Sequence, residues 1–110
     1  AGAVLNALNT RLDPEAVAFM LDHGEAKALI VDPEFAPLIA KALQLRQRTE
    51  PLLVIQVEDA LYGEAATQVG SVSYEQFVAQ GDPAFAWEEP ADEWDAIALN
   101  YTSGTTGNPK

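Results

Sequence analysis

The sequence predicts an α/β fold with a mostly parallel sheet and flanking helices, and three observations lead to this prediction. Compact apolar runs typical of buried strands occur at residues 27–32, 52–57 and 96–101. Apolar residues at helical spacing lie between the first two runs, from residue 35 to residue 43. Strand, helix and strand in this order form a βαβ unit, so we expect its two strands to be parallel with a right-handed crossover.

Residues 1–12 are predicted to form a short strand that leads into a loop, and a first helix follows. Asp13 suits the N-cap of this helix, Pro14 its first position and Gly24 its end. Its apolar residues are spaced at i, i+3 and i+4 and are predicted to be buried: Val17, Met20 and Leu21. His23 lies in the last turn, where the helix dipole favours a cation, and we expect no catalytic or metal role for it.

A proline near its start constrains the second helix. Pro37 must lie in the first turn of the second helix, because a proline deeper in the helix would break its hydrogen bonds.

Residues 58–72 have no periodicity and are predicted to be a polar surface connection. Ser73 and Gln76 form the pattern of a capping box that opens a short helix ending at Gly81. The predicted buried face of that helix consists of Tyr74, Phe77 and Val78.

Residues 82–95 are predicted to be an acidic linker, since they contain six acidic residues, two prolines and two tryptophans. We expect Trp87 and Trp94 to pack this linker onto the body of the protein rather than to line a ligand cleft. Arg11 is expected at the surface. The strand at residues 96–101 then leads into the last part of the chain.

Composition excludes several classes of function. Seventeen acidic and six basic residues give a formal net charge of −11, which disfavours binding to nucleic acid or to anionic lipid. The chain contains no cysteine, so disulfides and thiolate metal sites are excluded, and we expect no metal site built from protein ligands. A cysteine-free chain fits a reducing, cytoplasmic location. No apolar run approaches the ~20 residues of a membrane span.

The motif that says most about function is residues 102–110, Thr-Ser-Gly-Thr-Thr-Gly-Asn-Pro-Lys, which we call the 102–110 segment. Gly104 and Gly107 allow the backbone to approach a ligand closely. Lys110 supplies a positive charge for a polyphosphate. Four hydroxyl groups can donate hydrogen bonds to phosphate oxygens, those of Thr102, Ser103, Thr105 and Thr106. The segment is therefore predicted to bind the phosphates of a nucleotide.

The 102–110 segment is not an ordinary P-loop. The Walker pattern places a glycine before its lysine, whereas Pro109 precedes Lys110 here and has no N–H to donate. The segment instead matches, at every fixed position, the signature of the adenylate-forming (AMP-binding) superfamily, which ends in Gly-x-Pro-Lys. Residues 2–12, Gly-Ala-Val-Leu-Asn-Ala-Leu-Asn-Thr-Arg-Leu, are similar to a stretch of its CoA-ligase branch. The chain thus resembles the acyl-CoA synthetases and acid–CoA ligases.

This resemblance implies that residues 1–110 are part of a single AMP-binding N-terminal domain, an internal fragment truncated at both ends. It implies a parent enzyme that adenylates a carboxylic acid with Mg²⁺ and ATP, then transfers the acyl group to coenzyme A, as in fatty acid metabolism. Within the segment, Thr102, Ser103, Gly104, Thr105, Thr106, Gly107 and Lys110 would contact the nucleotide, and Lys110 would be catalytic. The family's acyl pocket, its adenine and ribose motifs and the catalytic lysine of its C-terminal domain are not among these residues. We therefore expect the fragment to be inactive without the rest of the parent chain.

Alternatives to this interpretation remain open. The parent enzyme could adenylate an acid for an acceptor other than coenzyme A, and the sequence does not identify the acid. A nucleotide hydrolase with an unusual phosphate loop would need a hydroxyl residue directly after Lys110 and a downstream aspartate for Mg²⁺. A non-catalytic nucleotide-binding or interaction module would use the acidic surface to bind a basic partner.

Overall fold

The computed structural model describes residues 2–63, 65 and 67–102. The strands among these residues are β1 (Leu5–Asn6), β2 (Ala28–Val31), β3 (Leu53–Gln56), β4 (Val72–Ser73) and β5 (Ala98–Leu99). The helices are α1 (Pro14–His23), α2 (Ala36–Leu45) and α3 (Tyr74–Ala79), with a 3₁₀ turn at Pro33–Phe35 before α2.

All the described strand pairs are parallel, which confirms the α/β class. β2 and β3 pair over four residues, with Ile30 opposite Ile55, so the predicted βαβ unit has parallel strands. β4 extends this sheet on the other side of β3. β1 and β5 form a separate two-stranded sheet in which Leu5 lies opposite Ala98. The described strands are therefore divided between two sheets, with β5 beside the N-terminal strand.

Helix α1 begins and ends where its sequence signals predict. The Asp13 carboxylate accepts a hydrogen bond from the Ala16 N–H at 2.8 Å, and Pro14 occupies the first turn. The helix ends at His23, and the Gly24 N–H donates to the Met20 carbonyl at 2.9 Å. The predicted buried residues are buried, together with Ala18: Val17, Met20 and Leu21.

The main core lies between α1, α2 and strands β2 and β3. Pro37 lies in the first turn of α2, as predicted, so it interrupts no helical hydrogen bond. The apolar faces of the two helices and the strands form one buried cluster of Val17, Ala18, Leu21, Val31, Ala36, Ile39, Ala42 and Val54. Small residues such as Ala36 and Ala42, both at 0 % exposure, let the elements approach closely.

A shielded ion pair joins the C-terminal ends of α1 and α2. Arg46 Nε donates to Asp22 Oδ1 at 2.8 Å, and the side chains are only 11 % and 15 % exposed. Asp22 Oδ2 also accepts the backbone N–H groups of Gln47 at 2.7 Å and Arg48 at 3.2 Å. Burial raises the pKa of Asp22, but these backbone hydrogen bonds and Arg46 outweigh it, so the pKa falls below its ordinary value of 3.8.

We expect Asp22→Asn to lower the free energy of unfolding by about 1–2 kcal/mol at neutral pH, because asparagine loses the charge that these donors share. A lowered carboxylate pKa stabilises the fold above the unfolded-state pKa, and this contribution disappears as pH falls through the folded-state pKa. The difference between wild type and variant should therefore shrink below pH 3.8. Urea unfolding of both proteins at a series of pH values measures this difference in the free energy of unfolding. The exposed Asp59→Asn is the matched control, and an equal loss in both variants would contradict the prediction.

The described residues of the connection after β3 are mostly exposed, as predicted for a surface connection, but its last part is tied to the sheet by Gln56. This side chain is buried at 4 % exposure. Its Nε2 donates to the Thr67 carbonyl at 2.9 Å, and its Oε1 accepts the N–H groups of Val69 at 2.9 Å and Gly70 at 3.1 Å. One amide thus pairs three backbone groups and guides the chain into β4.

We expect Gln56→Leu to cost about 2 kcal/mol of stability, because leucine keeps the volume but leaves three backbone groups without their partner. The substitution should accelerate hydrogen exchange at the Val69 and Gly70 amides more than at the amides of strands β2 and β3. Gln44→Leu, on the exposed side of α2, provides the control. Unchanged exchange at both amides in Gln56→Leu would show that the side chain does not hold this connection.

In the second half of the chain, one predicted boundary was wrong and the signals of α3 were correct. Val72 belongs to β4 rather than to the connection, because a two-residue strand is too short to give a sequence pattern. The capping box of α3 is present, with Ser73 Oγ accepting the Gln76 N–H at 3.2 Å. The helix ends at Ala79 with Gln80 as its C-cap, so Gly81 directly follows the cap, as predicted.

The predicted burial of several large side chains was also wrong. The apolar residues of α3 are exposed, at 39 % for Tyr74, 41 % for Phe77 and 52 % for Val78. Trp87 and Trp94 are 71 % and 87 % exposed, so they do not pack residues 82–95 against the described part of the chain. Similarly, the β5 run predicted to be buried is exposed at Ile97 and Ala98. Helical or strand spacing identifies side chains that share a face, but burial also requires a second element on that face.

Candidate functional site

The candidate site begins where β5 ends. Residues 100–102 follow β5 directly, and Thr102 is exposed there. Of the predicted nucleotide contacts only Thr102 lies within the described residues. The others remain predictions outside them: Ser103, Gly104, Thr105, Thr106, Gly107 and Lys110. The structure therefore defines the position from which the 102–110 segment starts.

Pairing with β1 holds β5 in place. Leu5 lies opposite Ala98 and Asn6 opposite Leu99, and the Leu5 N–H donates to the Ile97 carbonyl at 3.0 Å. Because the strands are parallel, their carboxyl ends lie at the same edge, and ligands of α/β proteins bind beyond this edge. Thr102, the first residue of the 102–110 segment, therefore follows the edge of the β1–β5 sheet at which a ligand is expected.

The C-terminal end of α1 contacts the residue that precedes Thr102. His23 Nδ1 lies 2.9 Å from the Tyr101 hydroxyl oxygen, and this hydroxyl also lies 3.4 Å from the Met20 carbonyl. The imidazole stacks on the Phe19 ring, with centroids 5.2 Å apart and planes at 16°. The Tyr101 ring meets the imidazole edge-on, at 5.8 Å and 67°. Burial raises the pKa of the Tyr101 phenol, so it stays neutral and able to donate.

Gly24 allows this contact. A Cβ atom at this position would lie 2.9 Å from the Met20 carbonyl oxygen, 3.0 Å from Leu99 Cδ2 and 3.2 Å from the Tyr101 hydroxyl. The first distance is shorter than real Cβ atoms show and the other two are tighter than most, so a side chain here would force the last turn of α1, the Leu99 side chain or the Tyr101 hydroxyl to shift. The residue that ends α1 therefore also makes room for the chain leading to Thr102.

Sequence reasoning missed the contact between His23 and Tyr101. The two residues are 78 positions apart, so no local spacing connects them. His23 was correctly expected in the last turn of α1, but its position there was attributed to the helix dipole alone. The ring contacts show a second reason for a flat, polar side chain at this place.

A small hollow at the carboxyl end of β3 has different chemistry. It is lined by side chains that are all polar except for one valine: Gln56, Glu58, Gln68, Ser71, Val72, Ser73 and Gln76. Glu58 is the charged member of this lining, and an acidic group repels phosphate. The described residues contain no cluster of three or more His, Asp or Glu side chains that could hold a metal ion. The phosphate chemistry therefore points to the end of β5 rather than to this hollow.

The family model of AMP-binding enzymes matches this chain over residues 1–110. The chain belongs to the AMP-binding enzyme family. The strand β5 and the residues after it are thus part of an AMP-binding enzyme domain. None of the helices in the described ranges has the length and apolar character needed to span a membrane.

Named CoA ligases are among the relatives of this AMP-binding chain. An acetate/butyrate–CoA ligase of Arabidopsis thaliana, described as peroxisomal, is 42 % identical over 118 residues, which cover 99 % of this chain and 21 % of the relative. An acetate–CoA ligase of Humulus lupulus is 44 % identical over 119 residues, covering 100 % and 21 %. A peroxisomal trans-cinnamate:CoA ligase of Petunia hybrida is 45 % identical over 122 residues, with the same coverage of 100 % and 21 %. The chain spans about a fifth of the length of these relatives.

Proposed function

We propose that the full-length protein is an AMP-forming acid–CoA ligase. The observation that carries this proposal is the 102–110 segment, whose glycines, hydroxyl residues and lysine follow β5 in a chain of the AMP-binding family. The names of relatives that are 42–45 % identical, ligases of acetate, butyrate and cinnamate, support the CoA branch of that family. The acidic surface supports a small-molecule substrate over a nucleic acid.

The proposed reaction has two steps. A carboxylate oxygen of the acid attacks the α-phosphorus of ATP, the bond from that phosphorus to the bridging oxygen breaks, and an acyl-adenylate and pyrophosphate form. The thiol of coenzyme A then attacks the acyl carbonyl, loses its proton and displaces AMP, which leaves an acyl thioester. Negative charge increases on the β- and γ-phosphates in the first step, so groups fixed around these phosphates lower its barrier.

The residues of the 102–110 segment suit that task. The hydroxyl groups of Thr102, Ser103, Thr105 and Thr106 would donate hydrogen bonds to the β- and γ-phosphate oxygens. Gly104 and Gly107 would let backbone N–H groups approach these oxygens, and Lys110 would neutralise the pyrophosphate as it leaves. Mg²⁺ would accompany the nucleotide and offset part of its charge beside this acidic chain.

The test is acid-dependent ATP–pyrophosphate exchange by the full-length protein, followed by AMP release on addition of coenzyme A. The panel contains acetate, butyrate and cinnamate, after the relatives' names, and a long-chain fatty acid. Exchange with at least one acid and CoA-dependent AMP release are expected. Exchange without any response to coenzyme A would favour an adenylating enzyme with another acceptor. Absence of exchange with tight Mg-ATP binding would favour a non-catalytic module.

The isolated 110 residues are expected to give no exchange above background with any acid of the panel, because a fifth of a relative's length cannot enclose both substrates. Acid-dependent exchange by this fragment alone would refute that expectation. A cytoplasmic location remains our proposal for the full-length protein, and the absence of cysteine from these 110 residues supports it. Two of the relatives are described as peroxisomal, so imaging of the tagged protein should include a peroxisomal marker.

A further inference from the structure

His23 and Tyr101 bring together two distant parts of the chain next to the proposed phosphate-binding segment. His23 is the last residue of α1, and Tyr101 directly precedes Thr102. His23 Nδ1 lies 2.9 Å from the Tyr101 hydroxyl oxygen across a separation of 78 positions. The contact therefore joins a core helix to the residue directly before the 102–110 segment.

The geometry fixes Tyr101 in both position and direction. Its hydroxyl has two polar neighbours in the last turn of α1, His23 Nδ1 and the Met20 carbonyl at 3.4 Å. The His23 imidazole is itself held by stacking on Phe19 at 5.2 Å, and the edge of the Tyr101 ring packs against it at 5.8 Å. Such ring pairs contribute beyond the area they bury and restrict side-chain rotation. The three aromatic rings thus form one cluster, with a stacked pair and an edge-on pair.

This cluster of rings is attached to the main core through α1. α1 is anchored in the core by Val17 and Leu21, and its last turn is tied to α2 through Asp22 and Arg46. In contrast, β5 has only two residues and pairs with a strand of equal length. So short a ladder offers few hydrogen bonds to hold the end of β5 in place. The contact with α1 adds a second attachment, one residue before Thr102.

We propose that His23 is a positioning residue for the phosphate-binding segment. Through Tyr101 it holds the start of the 102–110 segment against α1, and it thereby sets the affinity of the protein for the phosphates of ATP. His23 touches no reacting atom in this role. The inference rests on the proposed function, because it assumes that the segment binds the β- and γ-phosphates.

Three variants of the full-length protein test the role of this contact. His23→Ala removes the ring and its polar atom, and Tyr101→Phe removes only the hydroxyl. His23→Asn keeps a side-chain polar atom near the position of Nδ1. Glu15→Gln is the matched control, because this exposed residue lies in the first turn of α1, at the end far from Tyr101.

We expect His23→Ala and Tyr101→Phe each to raise both the dissociation constant of Mg-ATP and the KM for ATP by about tenfold, the effect of one lost positioning contact. The KM for the acid should change much less. His23→Asn should restore most of the affinity, and Glu15→Gln should match wild type. The double variant His23→Ala/Tyr101→Phe should bind Mg-ATP as tightly as His23→Ala alone, because both changes break the same contact. Isothermal titration calorimetry and initial-rate kinetics provide the two readouts.

The outcomes separate this inference from the proposed function. Wild-type protein that binds no Mg-ATP would overturn both. Normal ATP affinity in His23→Ala and Tyr101→Phe, together with a lower melting temperature, would overturn the positioning role and leave the ligase proposal intact. Additive effects in the double variant would also overturn it. If His23→Ala does not fold, Tyr101→Phe and His23→Asn decide the question in the same way.

Discussion

Lys110→Met is expected to reduce kcat/KM for ATP in acid-dependent pyrophosphate exchange by about 10²–10³-fold, the largest effect on activity that we predict for a single residue. The physical reason is the charge that increases on the β- and γ-phosphates when pyrophosphate leaves. A fixed cation at that place stabilises the transition state more than the ground state, and loss of one such group typically costs this factor. Methionine has a similar length and apolar stem but no charge.

The matched control is Lys41→Met, since Lys41 is an exposed lysine on α2 in the same protein. We expect its kcat/KM to remain within about twofold of wild type, as for most surface substitutions. Lys110→Arg adds a second comparison, because arginine keeps the charge but spreads it over a planar group. A Lys110→Met enzyme that exchanges pyrophosphate as fast as Lys41→Met would remove Lys110 from the proposed mechanism.

Leu21→Ala is expected to lower the free energy of unfolding by about 2–5 kcal/mol, the largest effect on stability that we predict. Leu21 is 2 % exposed and lies in the cluster shared by α1, α2 and the β2–β3 pair. Truncation removes buried methyl groups and leaves a cavity that close-packed neighbours fill only in part. Urea unfolding of the full-length protein, with hydrogen exchange in α1 as a local probe, measures the loss.

Leu61→Ala is the matched control, because Leu61 is 93 % exposed and the same atoms are removed. Its expected change is below about 0.5 kcal/mol. Similar losses in the two variants would mean that the α1–α2 cluster is not the main core of this part of the protein. Leu21→Ala should also weaken Mg-ATP binding slightly, because α1 carries His23 at its C-terminal end.

The first half of the fold could be predicted well because its signals are local. Asp13, Pro14 and Gly24 mark the ends of α1, and the apolar spacing correctly identified its buried face. Pro37 was placed correctly in the first turn of α2 for a purely steric reason. The parallel pairing of β2 and β3 followed from the βαβ order of the elements.

The second half could be predicted less well, because burial there depends on contacts that local patterns do not encode. The α3 spacing identified a common face for Tyr74, Phe77 and Val78, but that face is exposed. Likewise, the apolar character of Trp87 and Trp94 gave no information about which surface would cover them. The β4 strand has two residues and exists because β3 pairs with it.

The sequence by itself determined the α/β class and the caps of α1 and α3, and it predicts the phosphate chemistry of the 102–110 segment. Each depends on residue types at short, fixed spacings. Only the tertiary structure decided that β5 pairs with β1 in a separate sheet and that Gln56 ties the β3–β4 connection. It also decided that His23 meets Tyr101. These contacts join residues far apart in the chain, so they form only when the core places α1 and the strands against one another.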